Sequence, residues 1–161
     1  MSSFIMLIDY SCGLHEKAVV ADAAISGKAA LFALMGARAE ASYGVDADAV
    51  TAALQQRENL GSTGFGNGIA IPHARLAQIT DPVGLFVRLE KPVEYASIDE
   101  RPVDLVFGLL SPVADGARHL KVLAGISRTL RDEGNLARLR GASNADAIYA
   151  LLAGRYEFDA A

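Results

Sequence analysis

Val103-Asp104-Leu105-Val106-Phe107-Gly108-Leu109-Leu110 is apolar at every position except Asp104 and Gly108. A run of this kind reads as a strand buried on both faces, at the centre of a sheet. Working outward, Val83 to Leu89, in which Gly84, Phe86 and Arg88 alternate, reads as a second strand, and Ile69-Ala70-Ile71 as a short one ended by Pro72, with His73 where it stops. On the C-terminal side a helix is predicted from Asp115 to about Leu130, because His119, Leu123, Ile126 and Leu130 recur on one stripe. His119 therefore heads a buried face. Shorter helices over Gly134–Leu139 and Ala145–Leu152 follow.

On the N-terminal side, Asp46 is placed to cap a helix running to about Asn59, with Ala49, Val50, Ala53 and Leu54 at helical spacing. Arg57 continues that apolar stripe although it is charged. Before it, Ser26 is read as the cap of a helix over Lys28 to Ala41, ended by Gly44, and Lys17 to Val20 as a short strand. Helices mixed with at least three strands make the fold class α/β or α+β.

The 161 residues, 52% of them hydrophobic, fit one domain spanning 1–161, with a core of about 17–153 after a divergent segment 1–16. Net charge is −4 and the charges are mixed in sign, which argues against a nucleic-acid footprint or a polybasic membrane patch and points to proteins or small molecules as partners. A single cysteine, Cys12, cannot close an intrachain disulfide, and the N-terminus lacks the positive residue that opens a secretory signal. A cytoplasmic location is expected. The longest apolar runs, such as Phe4 to Ile8, are too short for a membrane span.

Among three histidines, His73 follows Gly61-Ser62-Thr63-Gly64-Phe65-Gly66-Asn67-Gly68, a loop rich enough in glycine to turn sharply or to offer backbone N–H groups to an anion. The same glycines could form only a hairpin, and His73 could be an ordinary polar residue. No Gly-Lys-Ser/Thr follows, so this is not a P-loop, and Gly64, Gly66 and Gly68 lead into a strand, which argues against a dinucleotide site. Arg57 and His119 read singly as a snorkelling arginine and a core histidine. Read together, they suit a shared polar pocket filled by a phosphoryl group, the arginine gripping its oxygens and the histidine donating from near a helix N-terminus. His15 reads as exposed and Cys12 as incidental. Glu90, Glu94, Asp99 and Glu100 read as a solvated loop around Pro92 and Pro102, and neither zinc-ligand spacing nor a Gly-x-Ser-x-Gly elbow occurs.

The segment from Arg57-Glu58-Asn59-Leu60 through the glycine run to Ile69-Ala70-Ile71-Pro72-His73 resembles the active-site segment of phosphotransferase-system (PTS) enzyme IIA domains of the fructose/mannitol type, nearest their nitrogen-regulatory branch. The likeness extends through Pro102 to Leu110 and His119-Leu120, covering about Gly27 to Leu152. It implies a single mixed sheet of about five strands flanked by helices. It also implies a phosphotransferase component with catalytic residues His73, His119 and Arg57, His73 carrying the phosphoryl group on Nε2, and Ser62, Thr63 and Gly64 binding phosphate.

The implied donor is a histidine phosphocarrier, HPr or its nitrogen-branch counterpart NPr, itself charged from phosphoenolpyruvate by enzyme I. No cofactor and no metal are implied. Two outputs are compatible: regulation of targets such as a kinase or an ion transporter according to phosphorylation state, which the resemblance favours, or transfer to the IIB domain of a sugar permease. Ala74 stands where the family more often has glycine.

Overall fold

The computed structural model describes residues 12–154; the apolar run at Phe4 to Ile8 lies outside them. In chain order the elements are β1 (Gly13–Ala23), α1 (Lys28–Tyr43), α2 (Ala47–Asn59), β2 (Gly64–Gly66), β3 (Ile69–Ala70), β4 (His73–Leu76), β5 (Val83–Val93), β6 (Val103–Pro112), α3 (Gly116–Arg131), α4 (Glu133–Gly141) and α5 (Ala145–Leu152). The six strands form one mixed sheet in the order β1-β5-β6-β3-β2, with β4 also paired to β6.

The continuous apolar run is the central strand, as its pattern predicts. β6 runs antiparallel to β5 on one side and parallel to β3 and β4 on the other. Its side chains serve two cores. Val106 and Leu110 join Phe32, Met35 and Leu54 from α1 and α2, whereas Leu105, Phe107 and Leu109 join Ile126, Leu139 and Ile148 from α3, α4 and α5. Helices thus cover both faces of the sheet, and burial on both faces explains why β6 shows no alternation. Among the described residues no helix is long and apolar enough to cross a membrane.

Several boundaries differ from the sequence expectations. β1 is eleven residues long, not four, because its pairing with β5 is broken by register shifts at Leu14/Val19 and Val20/Ala23, so His15, Glu16 and Lys17 stay exposed within a strand. Ser26 does not cap α1. Gly27, extended at φ −175°, occupies that position without a side-chain hydrogen bond. The helix continues to Tyr43, whose hydroxyl donates to the Gly84 carbonyl at 2.7 Å, and Gly44 closes it in the left-handed conformation at φ 70°. α2 begins as expected, with the Asp46 carboxylate accepting from the Ala49 N–H at 2.9 Å.

β5 also runs on, past Pro92 to Val93, which pairs with Val103 after an irregular stretch that tolerates the proline. Glu90 is therefore in a strand and not in the solvated loop. Arg88, although on β5, is 8% exposed. Its guanidinium meets both Asp22 carboxylate oxygens at 3.1 Å and donates to the carbonyls of Leu139 (3.0 Å) and Ala142 (2.6 Å), tying β1 and the end of α4 to the sheet.

Candidate functional site

The glycine run folds as the hairpin of β2 and β3, with Asn67 and Gly68 both at positive φ (56° and 81°), the two-residue turn that suits a twisted ribbon. Gly64 has another reason to be glycine: a Cβ there would lie 2.7 Å from Ser97 Cα. Pro72 does not end the strand system. Its carbonyl accepts from Leu109 N–H at 3.0 Å, and the chain continues at once into β4, so His73 opens a strand, in register with Leu109.

Three elements converge there. Arg57 comes from the last turn of α2, His73 from the start of β4, and His119 from the first turn of α3, which Asp115 caps by accepting from Arg118 N–H at 3.0 Å. The two imidazole rings lie 5.5 Å apart between centroids, inclined by 46°. A cleft of about 530 Å³ is lined by Arg57, His73, Arg75 and His119, with the exposed Leu60 and Leu120 at its sides. A smaller cavity of about 180 Å³ is lined by Arg57, Ser62, Thr63, Gly64 and His73 among others. Arg57 and His73 line both.

Hydrogen bonding fixes the tautomer of His73. Its Nδ1 lies 2.8 Å from the Ile71 carbonyl, which can only accept, so Nδ1 carries the proton. Its Nε2 lies 3.2 Å from Arg57 Nε–H, which can only donate, so Nε2 presents a lone pair. Burial holds the basicity of His73 below the usual histidine value, and the neighbouring Arg57 charge adds to the effect. The ring is neutral at pH 7. Arg57 is anchored a second time, donating from Nη1 to the Gly61 carbonyl at 2.9 Å.

His119 is 7% exposed, and its Nδ1 is hydrogen-bonded at 2.7 Å to Ser111 Oγ at the end of β6. Burial, then the charges possible on His73 and Arg75, push its pKa down to about 4, so it too is neutral at pH 7. Two uncharged imidazoles and a guanidinium in one cleft can accept a dianionic group without carrying an anion of their own.

The expected cradle of backbone N–H groups is only partly oriented that way. Thr63 N–H donates to the Glu58 carboxylate at 3.1 Å, and Gly64 N–H donates to Ser62 Oγ at 3.0 Å. Two of the three amides thus hold the loop in shape.

Two residues at the site escaped the sequence reading. Glu58 is buried whereas Arg57 is half-buried, so the stripe of α2 runs Val50, Leu54, Glu58; that four-residue spacing is the signal that could have found it. Arg75 shares a face with His73 by strand alternation, which becomes visible only once β4 is recognised. His15 lies exposed in β1, and Cys12 is buried with its thiol pushed up to about 12, hence unreactive. Among the described residues no group of His, Cys, Asp and Glu could hold a metal ion.

Residues 13–154 match the family described as phosphoenolpyruvate-dependent sugar phosphotransferase system, EIIA 2. A nitrogen regulatory protein of Bradyrhizobium diazoefficiens is 47% identical over 119 residues, 74% of this chain and 78% of the relative. A fructose-specific EIIA component of the PTS from Haloferax volcanii is 35% identical over 108 residues, 67% of this chain and 70% of the relative. The crystal structure of nitrogen regulatory protein IIA-Ntr from Neisseria meningitidis superposes with a TM-score of 0.80 at 33% identity, covering 86% of this chain and 94% of that one.

Proposed function

We propose, starting from a chain that belongs to the EIIA 2 family of the phosphoenolpyruvate-dependent phosphotransferase system, that this protein carries its phosphoryl group on Nε2 of His73 and acts as a regulator through it. The observation that carries the assignment is the locked ring: Nδ1–H on the Ile71 carbonyl and the Nε2 lone pair facing the cleft arginine. A neutral imidazole of fixed tautomer needs no deprotonation before it attacks.

The donor is a histidine phosphocarrier of the HPr or NPr kind. The Nε2 lone pair forms a bond to phosphorus in line with the breaking P–N bond, whose electron pair returns to the donor's imidazole. The proton stays on His73 Nδ1 throughout, donated to the Ile71 carbonyl, and that hydrogen bond stabilises the ring as it gains positive character. Arg57 turns its donors to the phosphoryl oxygens, His119 supplies a further polar contact, and the loop at Ser62, Thr63 and Gly64 bounds the space. Catalysis here is positioning and electrostatics, with neither metal nor cofactor in the scheme. A cytoplasmic location goes with phosphoenolpyruvate as the source of phosphate.

Regulation of partner proteins, such as a kinase or an ion transporter, is favoured over transfer to a IIB domain, because the relative named a nitrogen regulatory protein is 47% identical and the fructose-specific one 35%. The second reading keeps the same chemistry and changes only the recipient. The test is intact mass after incubation with phosphoenolpyruvate, enzyme I and the phosphocarrier. One acid-labile phosphoryl group is expected on the wild type and none on His73→Ala, whereas His119→Ala should accept the group and pass it on slowly. Equal labelling of wild type and His73→Ala would remove the assignment.

A further inference from the structure

We infer that Glu58 is the positioning residue of this site, holding through Thr63 the loop from which both nitrogens of His73 are oriented. The inference rests on the reading of His73 as the phosphoryl acceptor and extends it to a residue that does not touch the phosphoryl group.

The Glu58 side chain is 3% exposed, at the last turn of α2, next in sequence to Arg57. A carboxylate so buried is tolerated only with full compensation. Lys28 Nζ lies 2.8 Å from Oε2, Thr63 N–H donates at 3.1 Å to both carboxylate oxygens, the Thr63 hydroxyl donates to Oε1, and the Tyr95 hydroxyl lies 3.4 Å away. Lys28 also sits over the Tyr95 ring, 4.3 Å from its centroid. Burial alone would raise the pKa of Glu58, but the hydrogen bonds from Lys28 and Thr63 outweigh it and keep the group an anion.

Thr63 is thus gripped at its amide and at its hydroxyl, and its remaining backbone group leads to the nucleophile. The Thr63 carbonyl accepts from Ile71 N–H at 3.0 Å, and the carbonyl of that same Ile71 accepts the Nδ1 proton of His73. On the other side of the ring, Arg57 reaches Nε2 while anchored to the carbonyl of Gly61, two residues before Thr63. Both partners of the imidazole therefore lean on the 61–63 segment, which the Glu58 carboxylate grips at Thr63, with further hold from Ser62 Oγ on the Tyr95 carbonyl at 3.1 Å and the Thr63 hydroxyl beside that of Tyr95 at 3.0 Å. A misplacement of the order of 1 Å at a reacting group costs about a hundredfold in rate.

The test uses the full chain with Glu58→Gln, an isostere without the charge, and Thr63→Val, which removes one hydroxyl and keeps the amide. Two readouts are taken on folded protein: the ¹⁵N shifts of the His73 ring at pH 7, which report the tautomer without any phosphoryl donor, and the single-turnover rate of labelling by the phosphorylated carrier. Glu58→Gln should move the ring shifts toward a mixture of tautomers and slow labelling by about tenfold or more; Thr63→Val should move both the same way, less far. Wild-type shifts and a rate within about twofold of wild type in folded Glu58→Gln would overturn the inference; if that variant does not fold, the same result in Thr63→Val does so. Absence of labelling in the wild type would defeat the carrier reading alone, since the ring shifts still decide the role of Glu58.

Discussion

Replacing Arg57 with lysine keeps a positive charge at the cleft and removes the planar fork. In the structure the guanidinium serves two acceptors from two nitrogens, His73 Nε2 at 3.2 Å and the Gly61 carbonyl at 2.9 Å. Lysine offers a single shorter-reaching ammonium, so one of these charge-assisted contacts, and with it one grip on the phosphoryl oxygens, is lost. A hydrogen bond involving a charged group contributes about 1.5–3 kcal/mol. If that contribution is expressed in the transition state, Arg57→Lys should label about 10- to 150-fold more slowly, at about 1.4 kcal/mol per decade.

The assay is rapid-quench, single-turnover transfer from radiolabelled phosphocarrier at saturating concentration, with the melting temperature measured in parallel. Because Arg57 is only half-buried, stability should change little, which separates a slow site from an unfolded one. A folded Arg57→Lys labelling within about twofold of wild type would refute the claim that the fork is what grips the transferring group.

Other expectations follow from burial and geometry. His119 binds its proton with a pKa of about 4 in the fold, against an ordinary value near 6.5, so between those values the unfolded chain holds the extra proton; stability should fall as pH drops from about 6.5 through 4, and His119→Gln should flatten that slope in urea titrations. Gly64→Ala places a Cβ 2.7 Å from Ser97 Cα, an overpacking worth about 1–3 kcal/mol that should lower the melting temperature by several degrees. Arg88→Met leaves the Leu139 and Ala142 carbonyls without their donor and should cost about 2–4 kcal/mol in denaturant unfolding, while labelling per folded molecule stays unchanged. The Asp22 partner contributes little to that figure, since its side chain is 59% exposed.

Where the sequence pattern reports burial directly, it locates the elements well. The apolar run broken only by Asp104 and Gly108 is β6, the Asp46 cap starts α2, and the stripe headed by His119 is the inner face of α3. What it hides is what pairing geometry decides. β1 carries His15, Glu16 and Lys17 through an irregular register, and β4 is a four-residue strand behind a proline, so neither shows a period long enough to read. The same limit applies at the site. His73 and His119 are legible because each is a conspicuous residue in its local context; Arg57 stands out in sequence as continuing an apolar stripe that in the structure belongs to Glu58, and the fold nonetheless brings all three to one cleft. Glu58 is not: an acid between an arginine and an asparagine near a helix end looks solvated until Lys28, Thr63 and Tyr95, far apart in sequence, close around it.

The contact between Arg57 Nε–H and His73 Nε2 has one more implication. The lone pair that would attack phosphorus is already occupied at rest, so the nucleophile is stoppered by its own assistant. An incoming electrophile must first give the guanidinium a better acceptor than an imidazole nitrogen. A phosphoryl group brings anionic oxygens that do so, whereas a neutral acylating or alkylating reagent brings none. Selection among electrophiles is thus exercised before any bond changes, by who can lure the arginine away.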